Sequence, residues 1–164
     1  MKKTRILLAL ALMLTLCLTA CTKPSTPSIT GTEWNASGDN SYFVLGEDGA
    51  FLWAQDEEVL DDNYFGGTYE FYRGEEALTY VTTELAEYAV TEDEIRDIIA
   101  RNEGYVMDNF VCVALLHETF ILYGEEQIGD PVMVPLYGMI LEDDTVLYVV
   151  NMNTGGVYTF LKQV

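Results

Sequence analysis

Short apolar runs separated by glycines and acidic residues make up the chain from Gly31 onward. Apolar and polar residues alternate within them, as in Thr68–Tyr72, and a period of two is typical of a half-buried strand. The pattern predicts strands at Thr32–Asn35, Ser41–Leu45, Ala50–Ala54, Thr68–Tyr72, Leu78–Thr82, Phe110–Leu116, Thr119–Gly124, Val132–Leu141, Val146–Met152 and Val157–Lys162. Compact turns between most of these runs favour an antiparallel meander over βαβ units, which need a helix between strands.

One helix is predicted among the strands. Thr91-Glu92-Asp93-Glu94 is a capping-box pattern, three isoleucines follow it on one helical face, and Gly104 can end the helix. We therefore predict a mainly β fold, an antiparallel up-and-down barrel or closed meander of about 8–10 strands, with one inserted α-helix at about 92–103.

The first 20 residues are typical of a secretory leader. A cationic start, Met1–Arg5, precedes the uncharged run Ile6–Leu18, which is too short to span a hydrocarbon core of roughly 30 Å comfortably. The run ends in Leu18-Thr19-Ala20-Cys21, which resembles the bacterial lipobox. The resemblance implies cleavage before Cys21 and lipidation of its thiol, with two or three acyl chains that anchor the protein to a membrane. The alternative is an ordinary signal peptide followed by a coincidental cysteine.

We predict three segments: a lipoprotein signal peptide (1–20), a tether rich in Thr, Ser and Pro (21–31), and one barrel domain (32–164). The tether can hold the domain up to ~30 Å from the bilayer, beyond a Debye length of ~8–10 Å. The expected location is the cell envelope, lipid-anchored on the extracytoplasmic face of the cell membrane or the outer membrane. The residue after Cys21 is Thr22 rather than Asp, and in a Gram-negative cell this resembles the pattern of lipoproteins sorted to the outer membrane.

The mature chain is strongly acidic. The full chain has a formal net charge of −19, and removing the three cations of the leader makes it about −22. Such a charge repels phosphates, so nucleic acid is excluded as a partner. We expect a monomer whose field attracts cationic molecules.

The sequence Gly31-Thr-Glu-Trp34 is similar to the Gly-x-Trp of the first lipocalin strand, with a spacing one residue longer. The resemblance implies a calycin-like barrel with ligand contacts around one end. Strands that run up and down in order place the turns at 46–49, 73–76, 117–119 and 142–144 at one end. The longer loops at 55–67, 82–109, 124–131 and 153–156 then share the other end. The candidate ligand-binding residues there are Asp56, Asp61, Asp62, Tyr64, Phe65, Tyr105, Asn151 and Asn153.

Catalytic and metal chemistry have little support in the sequence. His117 is the single histidine, its neighbourhood reads as a hairpin turn, and the Ser-x-x-Lys, Gly-x-Ser-x-Gly and His-Glu-x-x-His patterns are absent. The acidic stretch 55–63 lacks the alternating Asp spacing of a calcium loop, so it predicts diffuse cation attraction. Cys112 lies in an apolar run, which predicts that it is buried and packs as a small hydrophobic residue. We predict no enzyme activity, no cofactor and no metal site.

Two functions remain. The first is a surface lipoprotein whose barrel binds a small or peptide-like ligand without transforming it. The second is an acidic protein-interaction or inhibitor module for a basic envelope partner. A ligand binder needs an apolar cavity inside the barrel and binding that survives high salt. An interaction module needs a filled core and binding that collapses as salt rises.

Overall fold

A computed structural model describes residues 29–38, 40–54, 56, 62–127 and 129–163. The strands are β1 (Thr32–Ala36), β2 (Tyr42–Leu45), β3 (Ala50–Ala54), β4 (Asn63–Arg73), β5 (Phe110–Leu122), β6 (Glu125–Glu126), β7 (Val132–Leu141), β8 (Val146–Asn151) and β9 (Val157–Lys162). The helices are α1 (Glu75–Thr83) and α2 (Glu92–Arg101), with 3-10 turns at Ala86–Tyr88 and Met107–Asn109.

Eight of these strands close into a barrel. Their order is β4-β3-β2-β1-β9-β8-β7-β5, and the pairing of β4 with β5 closes the ring. Each strand is antiparallel to both neighbours, and the chain visits neighbouring strands in sequence, while the two-residue β6 pairs with the end of β5. The predicted mainly β, antiparallel up-and-down barrel is confirmed, and its closed eight-strand form is consistent with a calycin-like barrel.

The segment between β4 and β5 is helical where the sequence predicted a strand. Leu78–Thr82 lies inside α1, so that strand prediction is wrong, and residues 73–76 lead from the end of β4 into the helix rather than form a hairpin turn. Gly74 adopts a left-handed backbone (φ +62°) that redirects the chain as it leaves β4. Leu78 and Val81 then lie on one buried helical face, and this burial outweighs the β preference of Val, Thr and Tyr side chains.

Strand β5 is also continuous where a turn was predicted. His117–Thr119 lies within it, so the predicted hairpin there is wrong. The register with β4 shifts between Gly66 and Gly67, which pair with Thr119 and His117, so Glu118 is the extra residue of a β-bulge. A Cβ on Gly67 would lie 1.9 Å from the carbonyl oxygen of Leu116. The two backbones approach so closely that only glycine fits.

Two apolar cores lie on the two sides of the barrel wall. The inner core fills the barrel with side chains from every long strand, among them Trp34, Phe43, Leu115 and Phe160. The outer core lies between the helical insert and the outer wall, where Ala77, Leu78, Val81, Leu85 and Ile95 meet Phe110, Cys112 and Met139. Both faces of the first half of β5 are therefore buried, and Cys112 is a buried small hydrophobe as predicted.

The barrel begins before the predicted boundary at Thr32. Ile29 is 1% exposed within the inner core, and the Gly31 N–H donates to the carbonyl of Leu45 at 2.6 Å. Residues 29–31 therefore belong to the barrel rather than to the tether. All described strands and core residues lie within 29–162, so a chain that starts at Thr22 contains the complete barrel.

The predicted leader, Cys21 and the tether up to residue 28 lie outside the described residues. In the described part of the chain, none of the helices has the length and apolar character needed to cross a bilayer.

Candidate functional site

The strand directions sort the connections into two ends. One end, here called the mouth, carries the loops 37–41, 55–62, 123–131 and 152–156. The opposite end, here called the base, carries the turns 46–49 and 142–145 and the points where the helical insert leaves and rejoins the barrel. The predicted placement of 82–109 at the same end as the other long loops is therefore wrong. The insert leaves from the base and packs along the outer wall.

An open cleft with two lobes lies at the mouth. The first lobe, of about 530 Å³, is named after His117, and the second, of about 750 Å³, is named after Tyr64. Both lobes share the side chains of Trp53, Phe65, Phe120 and Tyr158. The His117 lobe adds Glu118, Thr119, Gln127, Gly129, Asp130, Val132, Val134 and Asn151, and the Tyr64 lobe adds Asn40, Ser41, Ala54, Asp56, Asn63 and Leu122.

Strand register brings the shared aromatic side chains together. Trp53 pairs with Phe65, and Phe65 with Phe120, so these three inward positions share one rung across β3, β4 and β5. The rings of Phe65 and Phe120 stack with centroids 4.5 Å apart and 8° between their planes. Trp53 meets Tyr158 edge to face at 4.9 Å. The wall of the cleft is therefore built from rings that position one another.

The barrel interior that adjoins these rings is filled. Trp34, Phe43, Leu115 and Leu136 are 0% exposed. The Trp53 ring lies 5.5 Å from Phe43, which connects the cleft wall to this packed core. Packed side chains therefore fill the described barrel interior, where a ligand binder was expected to have its apolar cavity, and the cleft is a depression at the mouth above this solid core.

His117 lies in the cleft wall between two aromatic rings. Its ring centroid is 5.1 Å from Phe51 and 5.0 Å from Phe65. Its Nε2 atom is buried and has no hydrogen-bond partner among the described residues. Burial disfavours the charged imidazolium and lowers the pKa of His117 to about 4. The ring is therefore neutral at physiological pH and has an unused hydrogen-bonding nitrogen.

The rim of the cleft is acidic. Glu118 and Asp130 line the His117 lobe, and Asp56 lines the Tyr64 lobe, where it accepts a hydrogen bond from the Asn40 amide at 3.1 Å. The sequence of the four mouth loops contains no lysine or arginine. The cationic side chains of the described residues lie elsewhere: Arg73 and Lys162 at the base, and Arg96 and Arg101 on α2. The mouth therefore has a negative potential.

The structure brings four of the predicted site residues to the cleft, namely Asp56, Tyr64, Phe65 and Asn151. Asn151 also has a structural role, because its Oδ1 accepts from the backbone N–H groups of Asn153 and Thr154 at 2.9 and 3.2 Å. These bonds fix the turn between β8 and β9.

Three more of the predicted residues do not line the cleft. Asp62 and Asn153 lie at the mouth, and the Asn153 amide donates to the carbonyl of Met133 at 2.8 Å while its oxygen accepts from the Tyr88 hydroxyl. The placement of Tyr105 at the mouth is wrong, because it lies in a groove between α2 and the outer faces of β7 and β8. Asp61 lies outside the described residues.

Sequence reasoning missed Trp53, His117, Phe120 and Tyr158. Trp53, Phe120 and Tyr158 lie at inward strand positions near the mouth, and alternation alone assigns such positions to a filled core. The sequence pattern predicts a turn at His117, which hides its inward position. The adjacent glycines Gly66-Gly67 were the available clue, since paired glycines inside a strand indicate a bulge and a close backbone approach.

The described residues contain no group of three or more His, Cys, Asp and Glu side chains arranged to hold a metal ion. In comparisons with protein-family models, curated proteins and solved structures, this chain matched none.

Proposed function

We propose that the protein is a membrane-anchored extracytoplasmic lipoprotein that binds a small or peptide-like ligand at the barrel mouth without transforming it. The observation that carries the proposal is the open aromatic cleft whose wall is formed by Trp53, Phe65, Phe120 and Tyr158. The lobes of about 530 and 750 Å³ fall within the range of roughly 300–1,000 Å³ that holds small ligands.

The surroundings of the nucleophilic side chains support binding without catalysis. Cys112 lies in the outer core, and burial raises the pKa of its thiol to about 12, so the reactive thiolate is not populated at neutral pH. His117 contacts aromatic rings, and its Nε2 atom is hydrogen-bonded to no nucleophilic side chain among the described residues. The described part of the cleft therefore offers a surface for binding, and His117 and Cys112 do not form a nucleophile and base pair in it.

A second candidate function is an interaction module for a basic envelope protein. It is favoured by the acidic rim around Glu118 and Asp130 and by the filled interior below the cleft. The two functions differ in their dependence on salt. Contacts within an aromatic cleft survive high ionic strength, whereas binding through exposed charges weakens as salt screens them.

Titration with the neutral fluorophore N-phenyl-1-naphthylamine tests the proposal. The protein is the chain from Thr22 to Val164, which contains the complete barrel. We expect saturable enhancement of the fluorescence with a Kd of about 1–10 μM, retained in 0.5–1 M salt. Removing two rings in Phe65→Ala/Phe120→Ala should weaken binding at least tenfold, and Phe65→Ala alone should weaken it severalfold.

The control is Tyr148→Ala. Tyr148 is 42% exposed and Phe65 37%, but Tyr148 lies on the outer wall, so this variant should bind like the parent. Far-ultraviolet circular dichroism confirms that each variant is folded. Absence of saturable binding, or an equal loss in Tyr148→Ala and Phe65→Ala, would contradict the proposal.

A further inference from the structure

We infer that the cleft selects small organic cations, in which an ammonium or similar group is attached to an aromatic or alkyl body. The inference rests on the proposed ligand-binding function and specifies its ligand class. It is carried by three features that meet at the mouth: aromatic rings, an acidic rim without basic residues, and a buried nitrogen with an unused hydrogen-bonding position.

The aromatic wall supplies the first requirement of a cation site. Trp53, Phe65, Phe120 and Tyr158 line both lobes, and their pairwise contacts at 4.5 and 4.9 Å hold the rings in fixed relative orientations. The face of an aromatic ring carries partial negative charge, and it attracts a cation within about 6 Å of the ring centroid. The same rings bury the apolar body of the ligand.

The acidic rim supplies the second requirement. Glu118 and Asp130 border the His117 lobe and Asp56 borders the Tyr64 lobe, while the mouth loops contain no lysine or arginine. An anion entering the cleft would meet carboxylates on both sides and find no basic partner from these loops. A cation would be steered toward the cleft and held by the same carboxylates.

The third feature is the Nε2 atom of His117. It is buried, it has no partner among the described residues, and its ring forms part of the lobe wall between Phe51 and Phe65. A buried polar atom without a partner is costly, so a ligand that supplies one gains affinity. In the tautomer protonated at Nδ1, Nε2 can accept a hydrogen bond from an ammonium N–H.

The shape of the site favours a small molecule over a basic protein. The two lobes are concave and share one wall, and each has a volume suited to a single small ligand. A protein partner would need a broad interface, commonly about 800 Å² on each side. The inferred ligand is therefore a small organic cation, and the test below treats binding of a basic peptide as a separate outcome.

The experiment compares three naphthalene derivatives of similar size as competitors of N-phenyl-1-naphthylamine on the Thr22–Val164 chain. They are a cation, (2-naphthylmethyl)trimethylammonium, a neutral compound, 2-methoxynaphthalene, and an anion, naphthalene-2-sulfonate. We expect the cation to bind at least tenfold tighter than the neutral compound, and the anion to bind more weakly than both. A fourth competitor, (2-naphthylmethyl)ammonium, carries N–H donors and tests the role of His117 through the variant His117→Phe, which should lower its affinity severalfold.

Two charge variants distinguish the effect of the rim carboxylates on cation affinity from the effect of the overall net charge. Glu118→Gln/Asp130→Asn should reduce the ratio of cation to neutral affinity about three- to tenfold. Asp93→Asn/Glu103→Gln removes the same charge from exposed positions in and just after α2, and it should leave the ratio unchanged.

The other possible results each contradict either the cation inference or the proposed ligand-binding function. Equal affinity for cation and neutral compound overturns the cation inference and leaves the proposed ligand-binding function standing. Failure of N-phenyl-1-naphthylamine and all competitors to bind overturns the proposed function itself. Tight binding of a trilysine peptide without binding of the small cation overturns the inference and favours the protein-interaction module.

Discussion

Phe65 on β4 and Phe120 on β5 are register partners whose rings stack at 4.5 Å, and a β-bulge makes them partners. Gly67 pairs with His117, so in a regular ladder Glu118 would pair with Gly66 and the polar Thr119 with Phe65. The bulge shifts the register by one residue and turns Phe120 inward instead. The aromatic wall of the cleft therefore depends on the backbone at Gly66 and Gly67.

Gly67→Ala tests this dependence. Because the added Cβ would lie 1.9 Å from the carbonyl oxygen of Leu116, the strands must separate, and we expect a loss of about 2–3 kcal/mol in the free energy of unfolding. Binding of N-phenyl-1-naphthylamine should weaken as the rings lose register. Urea unfolding measures the stability. Gly129→Ala is the control for stability only, because Gly129 lines the His117 lobe but nothing lies within 4 Å of its added Cβ. A similar loss of unfolding free energy there would contradict the explanation.

The base of the barrel is stabilised by a second pair of residues. Arg73 Nη1 donates to both carboxylate oxygens of Asp144 at 3.0 Å, and its Nε donates to the carbonyl of Asp108 at 2.6 Å. The Arg73 and Asp144 side chains are only 9% and 15% exposed. Arg73→Met leaves Asp144 without this partner in a buried site, and it should lower the unfolding free energy by about 3–5 kcal/mol.

The matched control for that variant is Arg101→Met. Arg101 pairs with Asp97 at 2.6 Å, but the two side chains are 76% and 64% exposed. Removing such a pair should cost less than about 0.5 kcal/mol, since water replaces the lost contact. Equal costs for the two variants in urea unfolding would show that Arg73 has no special role at the base.

The neutral His117 predicts a specific pH dependence of stability. Burial lowers the pKa of His117 from 6.5 to about 4 in the folded chain, so the unfolded chain takes up a proton first as the pH falls. Stability from this group is complete above pH 6.5, decreases between pH 6.5 and 4, and changes no further below pH 4. We expect a loss of about 1–2 kcal/mol, reduced from the full effect because the ring borders an open cleft.

His117→Phe isolates that contribution, because the carboxylates titrate in both proteins. The difference in unfolding free energy between parent and variant should change between pH 6.5 and 4 in favour of the variant. A difference independent of pH over that range would place His117 in a solvated environment.

Cys112 should be unreactive in the folded protein. Burial in the outer core raises the pKa of its thiol to about 12, and only the thiolate reacts with disulfide reagents. In the Thr22–Val164 chain it is the single cysteine. We expect no reaction with dithionitrobenzoate over an hour in buffer and one thiol per chain in denaturant. Rapid reaction in buffer would contradict the packing of the insert on the barrel.

The lipid anchor is tested in the full chain expressed in a bacterial host. Labelled palmitate should appear on the protein, and the protein should sediment with membranes. Cys21→Ser should abolish the label and release the protein, while Cys17→Ser, within the leader, should change neither. A label that persists in Cys21→Ser, or absence of label in the parent chain, would favour an ordinary signal peptide.

The strand pattern was predictable because barrel strands alternate inward and outward residues. Val132–Leu141 and Val157–Lys162 were predicted with the observed bounds. Helix α1 was not predictable from propensity, since its Leu, Tyr, Val and Thr side chains also suit a strand, and burial of one face on the barrel decides the outcome. The capping box at Thr91 gave α2 directly.

The sequence correctly predicts that the loops 55–67, 124–131 and 153–156 share one end, but only because two errors compensate. The false strand Leu78–Thr82 and the false turn at His117–Thr119 each reverse the chain once, so the loops after both errors return to the observed end. The segment 82–109, which lies between these two errors in the sequence and contains Tyr105, is therefore predicted at the wrong end. The aromatic wall was not predicted, because alternation assigns inward rings such as Trp53 and Phe120 to a filled core and does not show that they border an open cleft.

Nuclear magnetic resonance mapping of the bound probe tests the central claim most directly. On titration of (2-naphthylmethyl)trimethylammonium into isotope-labelled Thr22–Val164 chain, we expect the largest shift changes at Trp53, Phe65, His117, Phe120 and Tyr158. Resonances of Ile98 and Tyr105, in the groove beside α2, should remain in place. Changes centred on that groove, or scattered over the surface in proportion to charge, would contradict a ligand site at the barrel mouth.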